Sequence, residues 1–203
     1  MKKTLVFIIV GLLWTQFCWS QDQTKVIFKR QFPLEASFVT HAVTMPFDGI
    51  IFSPLHPGFA VGTEYAYSEK KRGRLFQSLH AGYFNHEFSA KAFFAQTGVG
   101  YRYTLGFGLF ADTDLSLGYI HSFHPTDIFA QNSQGEYEQV KDKGKAGFMI
   151  SWALGIGYDF SKKTGWPVSL FLRFQPFLQT PYSKETSVLP QSFVHFGLRV
   201  NFW

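Results

Sequence analysis

Residues 147–160 read GFMISWALGIGYDF. Phe148, Ile150, Trp152, Leu154, Ile156, Tyr158 and Phe160 share one parity, while Gly147, Ser151, Ala153, Gly155, Gly157 and Asp159 share the other. A helix would scatter these residues around its circumference, whereas a strand sorts them onto two faces. Residues 168–178 repeat the pattern, with Val168, Leu170, Leu172 and Phe174 set against Ser169, Arg173 and Gln175. So does SFVHFGLRVNFW at 192–203, where Val194, Phe196, Leu198, Val200 and Phe202 alternate with His195, Gly197, Arg199 and Asn201.

Five further segments extend this rhythm: 59–68, 75–84, 88–103, 109–122 and, with poor alternation, 127–138. Polar or glycine-rich links join them, among them 69–74 (EKKRGR), 85–86, 140–145 (VKDKGK) and 161–165. With no helical pattern between them, eight strands pairing in sequence form an antiparallel, all-β meander. Residues 31–57 contain VTHAV and GIIF, broken by Pro46, Pro54 and Pro57. They read as a lead, periplasmic or lumen-filling, with a short strand near 38–43, or as one more hairpin that raises the count to ten.

The apolar face decides where such a sheet can live. Charged residues make up 16% of the chain, against about 25% in soluble domains, so solvation of a large surface is poorly provided for. One face carries large aromatic and aliphatic side chains, and the other is Gly, Ala, Ser and a few charges. Small residues fit the narrow lumen of a small barrel. Bulky apolar residues fit lipid, where a closed ladder leaves no backbone group unpaired. No window of about 20 apolar residues follows the first 20 residues, which excludes helical spans. Tyr65, Tyr67, Tyr101, Tyr103, Tyr119, Tyr158, Phe160, Trp166 and Phe202 fall near strand ends, where rings settle at a lipid–water boundary.

The start of the chain agrees. Lys2 and Lys3 precede a short apolar run at 5–14, and Cys18 and Ser20 stand three and one residues before Gln21. This is the pattern of a secretory signal peptide at 1–20. The domain reading is then a leader at 1–20, a lead segment at 21–57 and a barrel at 58–203. Residues 21–203 contain no cysteine, so the exported protein relies on packing or on a membrane rather than on disulfides. Of the formal net charge of +5, two units leave with Lys2 and Lys3, a balance too mild to argue for nucleic acid.

With its leader, strand count and aromatic C-terminal strand, the chain resembles the small eight-stranded outer-membrane β-barrels of Gram-negative bacteria, the OmpA/OmpX-like class. That resemblance implies an antiparallel up-and-down transmembrane barrel in the bacterial outer membrane. It also implies insertion by the outer-membrane assembly machinery, which reads the last strand. Here Phe202 shares parity with the apolar face and Trp203 does not.

With both termini periplasmic, links 69–74, 104–108, 140–145 and 179–191 are expected outside, and 85–86, 124–125 and 161–166 inside. Lys70, Lys71, Arg72, Arg74, Lys141, Lys143 and Lys145 would then be solvated outer-loop cations or contacts to lipopolysaccharide phosphates among the outer-membrane lipids. Parity sends Glu64, His80, Gln96, Arg102, Asp112, Asp114, Arg173, Gln175, His195 and Arg199 into the lumen. There an ion-pair plug is favoured over a small pore or a ligand site, because an unpaired buried charge is costly. His195 and Arg199 are expected to pair with Glu64, Asp112 or Asp114.

Catalytic residues are not assigned. The alternative to a structural or surface-interaction role is a lipid-modifying hydrolase, drawing on His121, Ser122, His124 and Asp127 in GYIHSFHPTD. Adjacent His121 and Ser122 point to opposite faces of a strand. The His-x-Ser spacing of the outer-membrane lipid A deacylases is absent, since Thr126 stands two residues after His124. His41, Asp48 and His56 match no metal-ligand spacing, and no motif calls for a cofactor. A soluble exported ligand-binding barrel is the third reading.

Overall fold

A computed structural model describes residues 32–43, 55–132, 134–183 and 186–201, with Lys162 described only as backbone. The expected signal peptide, Asp48, Phe202 and Trp203 lie outside the described residues. The strands are β1 (Leu34–Ala42), β2 (Pro57–Glu69), β3 (Gly73–His86), β4 (Ala90–Thr104), β5 (Leu109–Phe123), β6 (Ile128–Gln131), β7 (Tyr137–Val140), β8 (Lys145–Asp159), β9 (Val168–Thr180) and β10 (Leu189–Val200). Among the described residues one short helix, α1 (Ser161–Thr164), links β8 to β9.

Eight of these strands close into an antiparallel barrel in the order β1-β10-β9-β8-β5-β4-β3-β2. Closure is made by β1 against β10, with Glu35 opposite Arg199 and Phe38 opposite Phe196. The all-β up-and-down barrel of eight strands is therefore as expected, but its membership is not. The barrel begins at β1, inside the segment read as a lead, and residues 127–138 contribute no barrel strand. They form most of the β6–β7 hairpin, a separate two-stranded sheet. In that hairpin Gln131, Glu138 and Gln139 share the two faces with Phe129, Tyr137 and Val140, so neither face could meet lipid. Asn132 closes its turn by accepting the N–H groups of Gln134 and Glu136, and Gly135 supplies the left-handed residue (φ 90°).

Exchanging one strand for another redirects part of the meander. The ends of β1 and β10, Leu34 and Val200, share one rim with turns 70–72, 105–108 and 160–167. The opposite rim carries the end of β1 at Ala42 and the start of β2 at Pro57, with 87–89, 124–132, 134–144, 181–183 and 186–188. Short turns on one rim and long loops on the other is the arrangement of bacterial outer-membrane barrels. Links 69–74 and 104–108 thus lie with the termini rather than opposite them, and 85–86 and 124–125 lie at the long-loop rim. Links 140–145, 161–166 and 179–191 keep the ends expected for them.

Alternation governs burial. Along β4, Phe93, Val99, Tyr101 and Tyr103 point outward and exposed, while Ala92, Phe94, Gln96 and Arg102 are buried. Leu115 is 63% and Phe148 69% exposed, which sets large apolar side chains on the outside. Polar groups on that surface bond locally: Gln77 Nε2 donates to Thr97 Oγ1 (3.0 Å), and Trp152 Nε1 donates to Thr113 Oγ1 (2.9 Å). Rings collect near both rims. Tyr65, Tyr67, Tyr101, Tyr103, Tyr158, Phe160 and Trp166 lie toward the termini, and Phe59, Tyr83, Phe93 and Tyr119 toward the long loops.

Candidate functional site: a filled lumen

The inward face is small where the opposite wall is large. Gly100 lies under the ring of Phe76, and Gly155 under the carboxylate of Asp112; a Cβ at either would collide. This is why the polar face of the strands is rich in glycine: the lumen of an eight-stranded barrel has room for one layer of interleaved side chains.

Nearest the termini that layer is ionic. Arg102 grips Glu64 with two bonds, Nη2 to Oε1 at 2.6 Å and Nη1 to Oε2 at 2.9 Å. It also donates to Asp112 Oδ2 through Nε (3.1 Å) and Nη2 (2.9 Å). Arg199 binds Glu35 and reaches Glu64 Oε1 at 2.9 Å. Arg173 joins Glu35 at 3.5 Å and Asp112 at 3.7 Å, and His80 Nε2 lies 3.0 Å from Glu35 Oε2. Three arginines thus meet three carboxylates, all buried. Aromatic rings flank the guanidinium groups, with Arg102 4.8 Å from the centroid of Phe76 and Arg173 5.0 Å from that of Phe171, a favourable cation–π contact. Opposite charges in fixed, multiply bonded geometry offset the desolvation each would otherwise suffer.

Above this lies a polar layer without arginines. Asp114 accepts from Ser78 Oγ (2.7 Å) and from Ser116. Gln96 Oε1 accepts from Ser151 Oγ (3.1 Å) and Gln175 Nε2 (2.9 Å). Next comes an apolar plug in which Phe193 contacts Phe177, Phe94 and Phe84 at centroid distances of 4.5, 5.1 and 5.3 Å, backed by Val39, Ile120 and Met149. A chain of bonds caps it at the long-loop rim: His41 Nε2 to Gln191 (2.7 Å), Gln191 to Gln179 (2.8 Å) and Gln179 to Ser122 (3.0 Å). His56 and His86 stack beside it at 3.5 Å.

The structure brings Glu64, His80, Arg102, Asp112, Arg173 and Arg199 into one network. Asp114 stands in the next layer with serine partners rather than an arginine. His195 is hydrogen-bonded to Ser37 Oγ (3.2 Å), and its Nε2 has no partner among the described residues, so its expected pairing with Glu64, Asp112 or Asp114 is not formed. Glu35 is the acid that sequence reasoning missed; its parity with Ser37 and His41 in LEASFVTHA was the available signal.

Among the predicted loop cations, Lys141, Lys143 and Lys145 belong to the long-loop rim, and Lys145 Nζ donates to the Tyr182 carbonyl (2.7 Å). Lys70, Lys71, Arg72 and Arg74 belong to the terminus rim, so the two groups of cations do not share one rim as expected. At the base of the long loop, Asp142 accepts N–H bonds from Gly144 (2.8 Å) and His124 (2.6 Å), which hold its carboxyl below the usual carboxylate range.

His121 and Ser122 do not form a catalytic pair. Ser122 accepts from Gln179, whereas His121 bonds the Tyr119 hydroxyl (2.8 Å) and the Lys143 carbonyl (3.2 Å). Among the described residues, no group of three or more His, Cys, Asp or Glu side chains is arranged to hold a metal ion.

Compared with known proteins, the chain matches no family model and no curated sequence. Its structure is similar to that of Ail, the attachment invasion locus protein of Yersinia pestis, at 11% identity and a TM-score of 0.50, covering 85% of this chain and 99% of that one. Neisserial surface protein A aligns at 12% identity and a TM-score of 0.49, covering 85% and 97%. The N-terminal β-barrel domain of Pseudomonas aeruginosa OprF aligns at 15% identity and 0.44, also covering 85% and 97%. At this identity the likeness to Ail speaks to fold alone, and with the closed barrel in hand it is clear: the chain has the fold of the small eight-stranded outer-membrane β-barrels.

Proposed function

We propose that this chain is an integral outer-membrane protein with a structural or surface-interaction role, its lumen sealed rather than conducting. The observation that carries this reading is the inversion of an ordinary soluble barrel: charges are buried inside and large apolar side chains stand outside, bounded by rings at both rims. Termini and short turns face the periplasm in this reading, and the long-loop rim faces outward. There Lys141, Lys143 and Lys145, close in sequence, are the cations offered to lipopolysaccharide phosphates. Insertion would use the barrel assembly machinery.

The test is to fold the purified chain into detergent, compare boiled and unboiled samples on a gel, and record from planar bilayers. Unboiled protein should migrate faster, and the bilayer should stay silent. Steady unitary conductance would overturn the sealed lumen, and a chain soluble and monodisperse without detergent would overturn the membrane location.

A further inference from the structure

At the terminus rim the ionic layer opens into a cup of about 110 Å³. Its walls carry Lys70, Lys71, Arg72 and Arg74, and its floor Arg102 and Arg199. The floor is already neutralised, because Glu64 accepts from both floor arginines while Glu35 and Asp112 take the remaining guanidinium bonds. The wall is not. Among the described residues its four cations share the cup with two carboxylates, Glu69 and Asp159, and Asp159 already accepts the backbone N–H of Ser161 (3.0 Å).

Arg74 is the telling residue. It sits on the inward parity of β3, and its Nε is shielded from solvent with no hydrogen-bond partner among the described residues. A shielded, unpaired guanidinium N–H is costly in a finished structure and useful in one that awaits an acceptor. The turn presenting these groups is held in place: Lys70 N donates to the Gly73 carbonyl (2.7 Å), and Thr104 N to that of Arg72 (2.7 Å). Gly73 leaves the room that the Tyr101 hydroxyl occupies.

We propose that this cup binds a phosphoryl anion, with Arg74 the principal donor and Lys70, Lys71 and Arg72 the supporting charge. A compact tetrahedral oxyanion matches both the size and the excess of donors, since guanidinium groups bind phosphate oxygens with charge-assisted bonds. The anion is either the headgroup of a phospholipid at the rim or a free phosphate. The assignment depends on the closed barrel and not on which membrane holds it.

The full chain, folded in zwitterionic micelles, is titrated with inorganic phosphate by calorimetry in a chloride buffer. In a second arm, phosphatidylglycerol or phosphatidylcholine is added and retained lipid is read by native mass spectrometry. Arg74→Gln should weaken phosphate binding about tenfold, or abolish retention of phosphatidylglycerol, while Lys91→Gln, an outward residue at the far rim, leaves both unchanged. Phosphate binding alone identifies a free anion as the ligand, and selective retention of phosphatidylglycerol identifies a headgroup. Heat-dependent gel mobility checks that each variant is a closed barrel, which separates failure of the site from failure of the fold. Should Arg74→Gln not fold, the double variant Lys70→Gln/Lys71→Gln on the exposed turn must show the loss. Binding equal in wild type and variants, or no binding of either probe, would overturn the proposal.

Discussion

Arg199→Met is expected to lower the unfolding free energy of the barrel by about 3–5 kcal/mol, the cost of removing one partner from a buried ion pair. Methionine preserves most of the unbranched stem, so the loss is chiefly one of charge. Arg199 is 2% exposed and touches Glu35 and Glu64, with Asp112 at 3.8 Å. Without it, Arg102 still holds Glu64, but Glu35 keeps only Arg173 at 3.5 Å and His80. Two arginines would then face three buried carboxylates. Urea unfolding in phospholipid vesicles measures the effect. Adding Glu35→Gln should cost much less than the sum of the two single losses, because the second change removes the charge that the first left uncompensated. Strict additivity would mean that the two side chains do not act as a pair.

The second large effect lies on the other face. Leu115→Arg is expected to destabilise the barrel in vesicles by about 2–4 kcal/mol, while Leu109→Arg costs at most about 1 kcal/mol. Both leucines point outward on β5, but Leu115 is at mid-strand between Val99 and Trp152, and Leu109 is at the terminus rim. Depth in hydrocarbon, not burial in protein, is what distinguishes them. An equal cost at the two positions would argue against a membrane around this surface.

How much of this was legible in the residues follows from contrast between faces. In β4, β5, β8, β9 and β10 large apolar side chains alternate with small or polar ones, and those strands are readable. In β1 the outward row includes Ala36, Thr40 and Ala42 while the inward row includes Val39, so the alternation is blurred. Prolines on both sides add to the concealment. Pro57 is nonetheless accommodated as the first residue of β2, a position where a missing N–H is tolerated. The β6–β7 hairpin erred the other way, since Ile128, Phe129 and Tyr137 favour strands without being sorted onto a face.

The consequences of that exchange were unequal. Adding β1 at the front reverses the direction of every following strand, and removing residues 127–138 from the barrel restores it, so only β2 to β5 changed ends. This moved the EKKRGR turn to the terminus rim and left VKDKGK in place. Inside the lumen parity alone located the arginines, because an even count of residues from a secure neighbour suffices. It could not supply their partners, which come from strands distant in sequence: Glu35 and Arg199 are 164 residues apart. Nor could it show that serines would claim Asp114.

The central claim is that β4 has lipid on one side and packed protein on the other. Single cysteines at 92 to 97, 99 and 101, in a chain carrying Cys18→Ser, can be labelled in vesicles and tested for contact with lipid-borne and water-borne quenchers. The account predicts that labels at 93, 95, 97, 99 and 101 are quenched from lipid, while cysteines at 92, 94 and 96, buried and clear of the ionic layer, resist water-soluble thiol reagents. Ready aqueous reaction of the second set would mean an open lumen, and aqueous rather than lipid quenching of the first would mean that no membrane surrounds the barrel.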